Sequence, residues 1–152
     1  MAYHYTDSGL DNIWLENGYT VHQTAYGEGV AIGDTGELHK AIGEWLVTAP
    51  RPFTGAELRF IRLEMELTQR ELADMLGVEE QAVRRWEKAR GKSFHGAADR
   101  LVRAIYTEFL DSTGSVRKMV ERLAGFASTE TAGICFRKTA DGWKTSGRLE
   151  AA

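Results

Sequence analysis

The stretch GVEEQAVRRWEKAR, from Gly77 to Arg90, crowds four cations into seven residues: Arg84, Arg85, Lys88 and Arg90. Side chains of this kind bind polyanions, and a solvated helix face is the plainer alternative that composition alone favours. Read as a helix, the stretch puts Gln81 and Arg85 at i and i+4, on one face. It opens on Glu79 and Glu80, acids that a phosphate backbone would repel. At a helix start, however, carboxylates are stabilised by the dipole, typically by ~0.3–1 kcal/mol. Glu80 and Arg84 also form an i,i+4 pair in the better orientation. The two glutamates therefore read as residues that start the helix.

The charge pattern extends beyond this stretch. Residues 84–103 hold seven cations against Glu87 and Asp99, whereas residues 1–50 hold only Lys40 against seven acids. A net charge of −3 thus conceals two regions of opposite sign, suited to different partners.

Other candidate chemistry is sparse. His4, His22 and His39 are spaced like no known metal site. Cys135, the only cysteine, excludes an internal disulfide and a cysteine zinc cluster, and on the apolar run GICF it reads as a buried packing residue. Tyr3, Tyr5, Trp14, Tyr19 and Tyr26 read as the core of a small module. There is no phosphate-binding glycine loop, no GxSxG and no carboxylate pair, so neither an enzyme nor a cofactor is expected. No apolar run approaches the roughly 18 residues of a membrane span, and the N-terminus lacks the pattern of a signal peptide. A cytoplasmic location without membrane contact follows as the expectation. With 43% hydrophobic residues the chain can bury a core.

The elements that must position the cations are legible from local signals. Residues 1–50 read as a small acidic α+β module. In it, Asn17-Gly18 predicts a hairpin between the flanking apolar stretches, and a short strand is predicted over Gly29 to Ile32. Asp34-Thr-Gly-Glu37 has the spacing of a capping box ahead of a helix that ends near Ala49, with Leu38, Ile42, Trp45 and Leu46 on one face. Pro50 and Pro52, the only prolines, mark the best boundary. Residues 51–111 follow as a run of helices. Thr54-Gly-Ala-Glu57 and Thr68-Gln-Arg-Glu71 are two more capping boxes, and Gly77 is placed to end the second helix. Helices are predicted to about Glu66, from Thr68 to Leu76, over Glu80–Lys88 and over Ala97–Leu110. In residues 112–152, Val116, Met119, Val120 and Leu123 mark a further helix. GICFRK and WKTS flank Thr139–Gly142 as a hairpin.

Two short helices joined by a glycine turn are the signature of a helix-turn-helix. The sequence LTQRELADMLGVEEQAVRRWEKAR resembles the phage-repressor (Xre, Cro/CI-type) family. The resemblance rests on Thr68-Gln69, Glu71-Leu72-Ala73, Leu76-Gly77-Val78, Val83 and Glu87. It covers about residues 54–110. The Arg85-Trp86-Glu87 ending is also similar to the DNA-binding half of MqsA-type antitoxins. Their cysteine-ligated zinc module has no counterpart here, because residues 1–50 contain no cysteine.

The resemblance implies a fold that is mainly α with small β elements. A five-helix repressor-like domain would be preceded by the α+β module and followed by the helix and hairpin. It implies a transcriptional regulator that binds an inverted repeat in double-stranded DNA as a homodimer. Gln81 and Arg85 fall on base-reading positions, where glutamine suits adenine and arginine the O6/N7 edge of guanine. Arg84 lies beside them. Gln69, Thr68, Arg70, Lys88 and Arg90 would reach phosphates. Arg62 and Glu87 match a family pair that forms an inter-helix salt bridge. Residues 112–152 are the candidate dimerisation element. Residues 1–50 suit a toxin, a small ligand or a second subunit equally, and an antitoxin-like protein acting through them is the alternative to the regulator.

Overall fold

A computed structural model describes residues 2–94, 96–111, 118, 121 and 133–148. Among these residues the chain forms five helices and three separate two-stranded antiparallel sheets. The order is β1 (Tyr3–His4), β2 (Trp14–Leu15), β3 (Tyr19–Thr24), β4 (Gly27–Ile32), α1 (Thr35–Thr48), α2 (Gly55–Glu64), α3 (Gln69–Leu76), α4 (Glu80–Lys88), α5 (Ala97–Asp111), β5 (Ile134–Thr139) and β6 (Gly142–Arg148).

The front module departs from expectation at its turns. Asn17-Gly18 does not close a hairpin: β2 pairs with β1, and β3 pairs with β4 across Ala25-Tyr26. Gly18 does take the left-handed conformation an Asn-Gly turn needs (φ 82°), but there it bends the chain from one sheet into the next. The short strand expected from Gly29 is the second half of β4. Asp34 makes no capping box. Its own backbone is left-handed (φ 52°), and its side chain accepts no bond from the helix. Trp14, Tyr26 and Trp45 are exposed, whereas Tyr5 is buried and Tyr3 and Tyr19 are partly so. Buried Tyr5 also has a long-range polar partner: its hydroxyl meets His39 Nε2 at 2.8 Å, and His39 Nδ1 lies 2.7 Å from Glu64 Oε1 on α2.

The helical part follows its local signals. Thr54 accepts from the Glu57 amide while Glu57 Oε1 accepts from the Thr54 amide, and Thr68 and Glu71 repeat the arrangement. Burial pushes the Glu57 carboxyl upward. The bidentate Arg51 pair (both contacts 2.7 Å) and the Thr54 donors outweigh that, and its pKa lies below the usual carboxylate value. α2 ends at Glu64, two residues early, and Glu66 adopts φ 56° in the turn to α3.

The proline segment is held firmly. Arg103 on α5 donates to the carbonyls of Leu46, Val47, Ala49 and Arg51, which caps the C-terminus of α1. The same side chain bonds Asp99, whose other oxygen accepts from the Phe53 amide at 2.9 Å. α1 and α5 approach so closely at Gly43 that a β-carbon there would lie 2.0 Å from the Tyr106 hydroxyl. Burial, with Glu64 and Glu44 nearby, pushes that hydroxyl up to about 12, so it stays neutral.

Tyr5, Leu10 and Leu15, Ile42 and Leu46 of α1, and the inner faces of α2 to α5 share one hydrophobic cluster. The acidic front and the helices are therefore packed against each other across the proline boundary. Residues 51–111 hold four helices. The helix expected over Val116–Leu123 lies, for nearly all its length, outside the described residues. The terminal hairpin forms as expected, with Ala140-Asp141 at its tip. Cys135, expected to be buried, is exposed, as are the neighbouring residues Phe136, Arg137 and Lys138 on either face of the two-stranded ribbon. Phe109 on α5 is also exposed.

Candidate nucleic-acid interface

The site is built on α3, the turn after it and α4. α3 starts at the Thr68–Glu71 capping box. It ends where Gly77 adopts φ 71°, the left-handed geometry that glycine takes without a Cβ penalty. The Val78 amide then donates back to the Ala73 carbonyl (3.0 Å) and the Gly77 amide to Asp74 (3.3 Å), which satisfies the helix end. Leu72, Ala73 and Val83 are fully buried between the two helices. α4 begins at Glu79 without a side-chain cap. Glu80 instead accepts from Arg84 at 2.9 Å, so the expected i,i+4 pair forms.

Two contacts fix the pose of α4. The first is at its C-terminal end, where the loop carbonyls of Arg90 and Lys92 accept from the first amides of α2, Ala56 and Gly55 (both 3.1 Å). These amides would otherwise lack partners. Only glycine fits at position 55, since a β-carbon would lie 2.0 Å from the Trp86 carbonyl oxygen. Trp86 itself stacks on Phe94 at 5.1 Å. The second contact is a buried network. Arg62 donates from Nε and Nη2 to the two oxygens of Glu87 (2.7 and 2.8 Å) and from Nη1 to the Leu67 carbonyl (2.8 Å). The pair the family resemblance implied is thus present, and it ties α2 to α4 and to the entry of α3.

Behind that anchorage, the outer side of α4 presents Gln81, Arg84, Arg85 and Lys88, all exposed. Thr68 and Arg70 are exposed at the start of α3. Gln69 is half-buried, and its Nε2 donates to Glu87 Oε1 at 3.2 Å, so the network positions it beside α4. Arg90 turns the other way: it donates to the Gly9 carbonyl at 2.7 Å and lies 3.9 Å from Asp11, bridging to the acidic front.

An open hollow of about 430 Å³ runs along α4, lined by Arg59, Gln69, Arg84, Glu87, Lys88 and Arg90. Arg59 was not singled out from the sequence. The inward residues Leu58 and Ile61 on α2 already turn it outward, but only the packing of α2 on α4 adds its charge to that of Arg84 and Lys88.

Residues 58–93 match the helix-turn-helix family model. The match runs from Leu58 in α2 through α3, the glycine turn and α4. This segment is therefore similar to a helix-turn-helix of the Cro/CI, Xre-like type, a kind of unit found in DNA-binding regulators. No curated protein and no solved structure matches the chain. No helix among the described residues is long and apolar enough to cross a membrane.

Proposed function

We propose that this protein is a sequence-specific, DNA-binding transcriptional repressor that binds an inverted repeat as a homodimer. The observation that carries the reading is the outer face of α4. Gln81, Arg84, Arg85 and Lys88 project from a helix whose opposite side is locked into the core and whose sequence matches the family model. In this reading α4 enters the major groove, which admits a helix and presents a distinct donor and acceptor pattern for each base pair. Gln81 and Arg85 read base edges, with Arg84 at the margin. Thr68, Gln69, Arg70 and Lys88 hold phosphates, joined by Arg59. Arg90 reaches a phosphate only if it gives up its bond to Gly9. Glu79 and Glu80 start α4 and, by repelling phosphates, weaken binding to arbitrary DNA more than to the operator.

Residues 1–50 form the acidic module, residues 51–111 the DNA-binding domain and residues 112–152 the dimerisation element. Phe136 and Trp143 support the last assignment, being exposed together on one face of the terminal hairpin. The test is selection of bound sites from random duplex DNA. It uses the full chain, because residues of the front module belong to the core. An enriched inverted repeat supports the reading, and a pool without any enriched motif removes it.

A further inference from the structure

The terminal hairpin carries charge that the helix-turn-helix reading does not use. In its register Arg137 stands directly opposite Lys144, and both are exposed. Alternation along the strands puts these two on one face and Phe136, Lys138, Trp143 and Thr145 on the other. Like charges facing each other across an antiparallel pair are destabilising, and among the described residues neither has an acidic partner. Four arginines of the chain do: Arg51 with Glu57, Arg62 with Glu87, Arg84 with Glu80 and Arg103 with Asp99; in this the hairpin pair resembles Arg59, Arg70 and Arg85, the exposed cations on the helix-turn-helix. The hairpin's one acid, Asp141, sits at the tip. There its amide donates to Thr139 Oγ1 (3.2 Å), so its place belongs to the turn. A two-stranded ribbon is also marginal in isolation, so a pair of opposed cations on it points to a polyanion that neutralises them.

We propose that the Arg137–Lys144 face of the hairpin is a second DNA-contacting surface, laid on backbone phosphates of the duplex that α4 holds. This rests on the DNA-binding reading above and adds to it an element outside the helix-turn-helix unit. A two-stranded ribbon is narrow enough to lie along a groove. Contacts of this kind add affinity without sequence information. The aromatic face points the opposite way and stays free for the partner copy.

The test is the double variant R137Q/K144Q of the full chain, titrated against a selected site and a scrambled duplex between 50 and 200 mM salt. Each lost phosphate contact lowers the slope of log K against log salt by about 0.9, so the double variant is expected to lose about 1.8. Over that fourfold range its deficit then shrinks about twelvefold. The change is the same on both duplexes, base preference is unchanged, and sedimentation shows the parental oligomer. K138Q, on the aromatic face, keeps the parental slope. A double variant with the parental slope overturns the proposal. So does a slope change that appears only together with loss of the oligomer, which would make the hairpin purely an interface between copies. If the parental chain binds neither duplex, the DNA-binding reading fails as well. A parental chain that binds while the double variant keeps its slope defeats the hairpin surface alone.

Discussion

Replacing Glu87 with alanine leaves the Arg62 guanidinium with one of its three bonds to these partners, the Leu67 carbonyl. The side chains of the pair are only 10% and 4% exposed, so water cannot take over the lost contacts. Removing one partner of a buried, hydrogen-bonded ion pair costs about 3–5 kcal/mol. That is a large share of the 5–15 kcal/mol by which domains are typically stable. For a chain of this size each kcal/mol moves the melting midpoint by roughly 2–4 °C, so Glu87→Ala is expected to melt about 6–20 °C lower. Circular dichroism melts and urea titrations read this directly. The double variant Arg62→Met/Glu87→Leu, which leaves no orphaned charge, should recover much of the loss. The exposed pair Glu80–Arg84, 41% and 59% accessible, should cost at most about 0.5 kcal/mol when broken. A Glu87→Ala protein within about 1 kcal/mol of the parent would refute the idea that this pair fixes α4 against α2.

Three further outcomes are expected. Gly55→Ala should destabilise by roughly 1–3 kcal/mol, because the new β-carbon meets backbone rather than a movable side chain, and chemical denaturation measures it. Thr68→Ala should cost about 1 kcal/mol by the same assay through loss of the α3 cap. The Arg51–Glu57 pair should show in the pH dependence. Since the folded pKa of Glu57 is depressed, its stabilisation is present above the unfolded carboxylate pKa and is lost as pH falls through the folded value. Arg51→Gln should therefore be much less stable than the parent at pH 7, with the gap closing in acid. A gap independent of pH would show that Arg51 acts by packing alone.

What the sequence made legible was local. Thr54–Glu57, Thr68–Glu71 and Gly77 satisfy backbone groups within a few residues of themselves, so their spacing alone located the starts of α2 and α3 and the turn into α4. The Arg62–Glu87 bond, 25 residues apart, came from family resemblance and not from any local signal. The failures occurred where a distant partner decides. Asn17-Gly18 looked like a hairpin turn, but β1 supplied the partner for β2. Asp34 had the right neighbour in Glu37, yet its left-handed backbone accompanies the loss of the cap. Trp14, Trp45 and Cys135 are exposed where burial is expected, because apolar spacing does not reveal whether a second layer covers the face. Arg90 looked like its neighbours Arg85 and Lys88, and only the folded chain brings Gly9 and Asp11 beside it, 81 and 79 residues away in sequence. Arg59 was missed for the converse reason, since a charge 25 residues before Arg84 becomes its neighbour only through the packing of α2 on α4.

The central claim is that the outer face of α4 reads bases, and Arg85→Ala tests it most directly. The variant should be titrated, beside the parent, against the selected site and against the same site changed one base pair at a time. The expected result is a loss of about 1–3 kcal/mol on the selected site, with relaxed preference at one base pair of each half-site and little change elsewhere. Unchanged affinity together with an unchanged base preference would contradict the assignment of α4 as the reading helix.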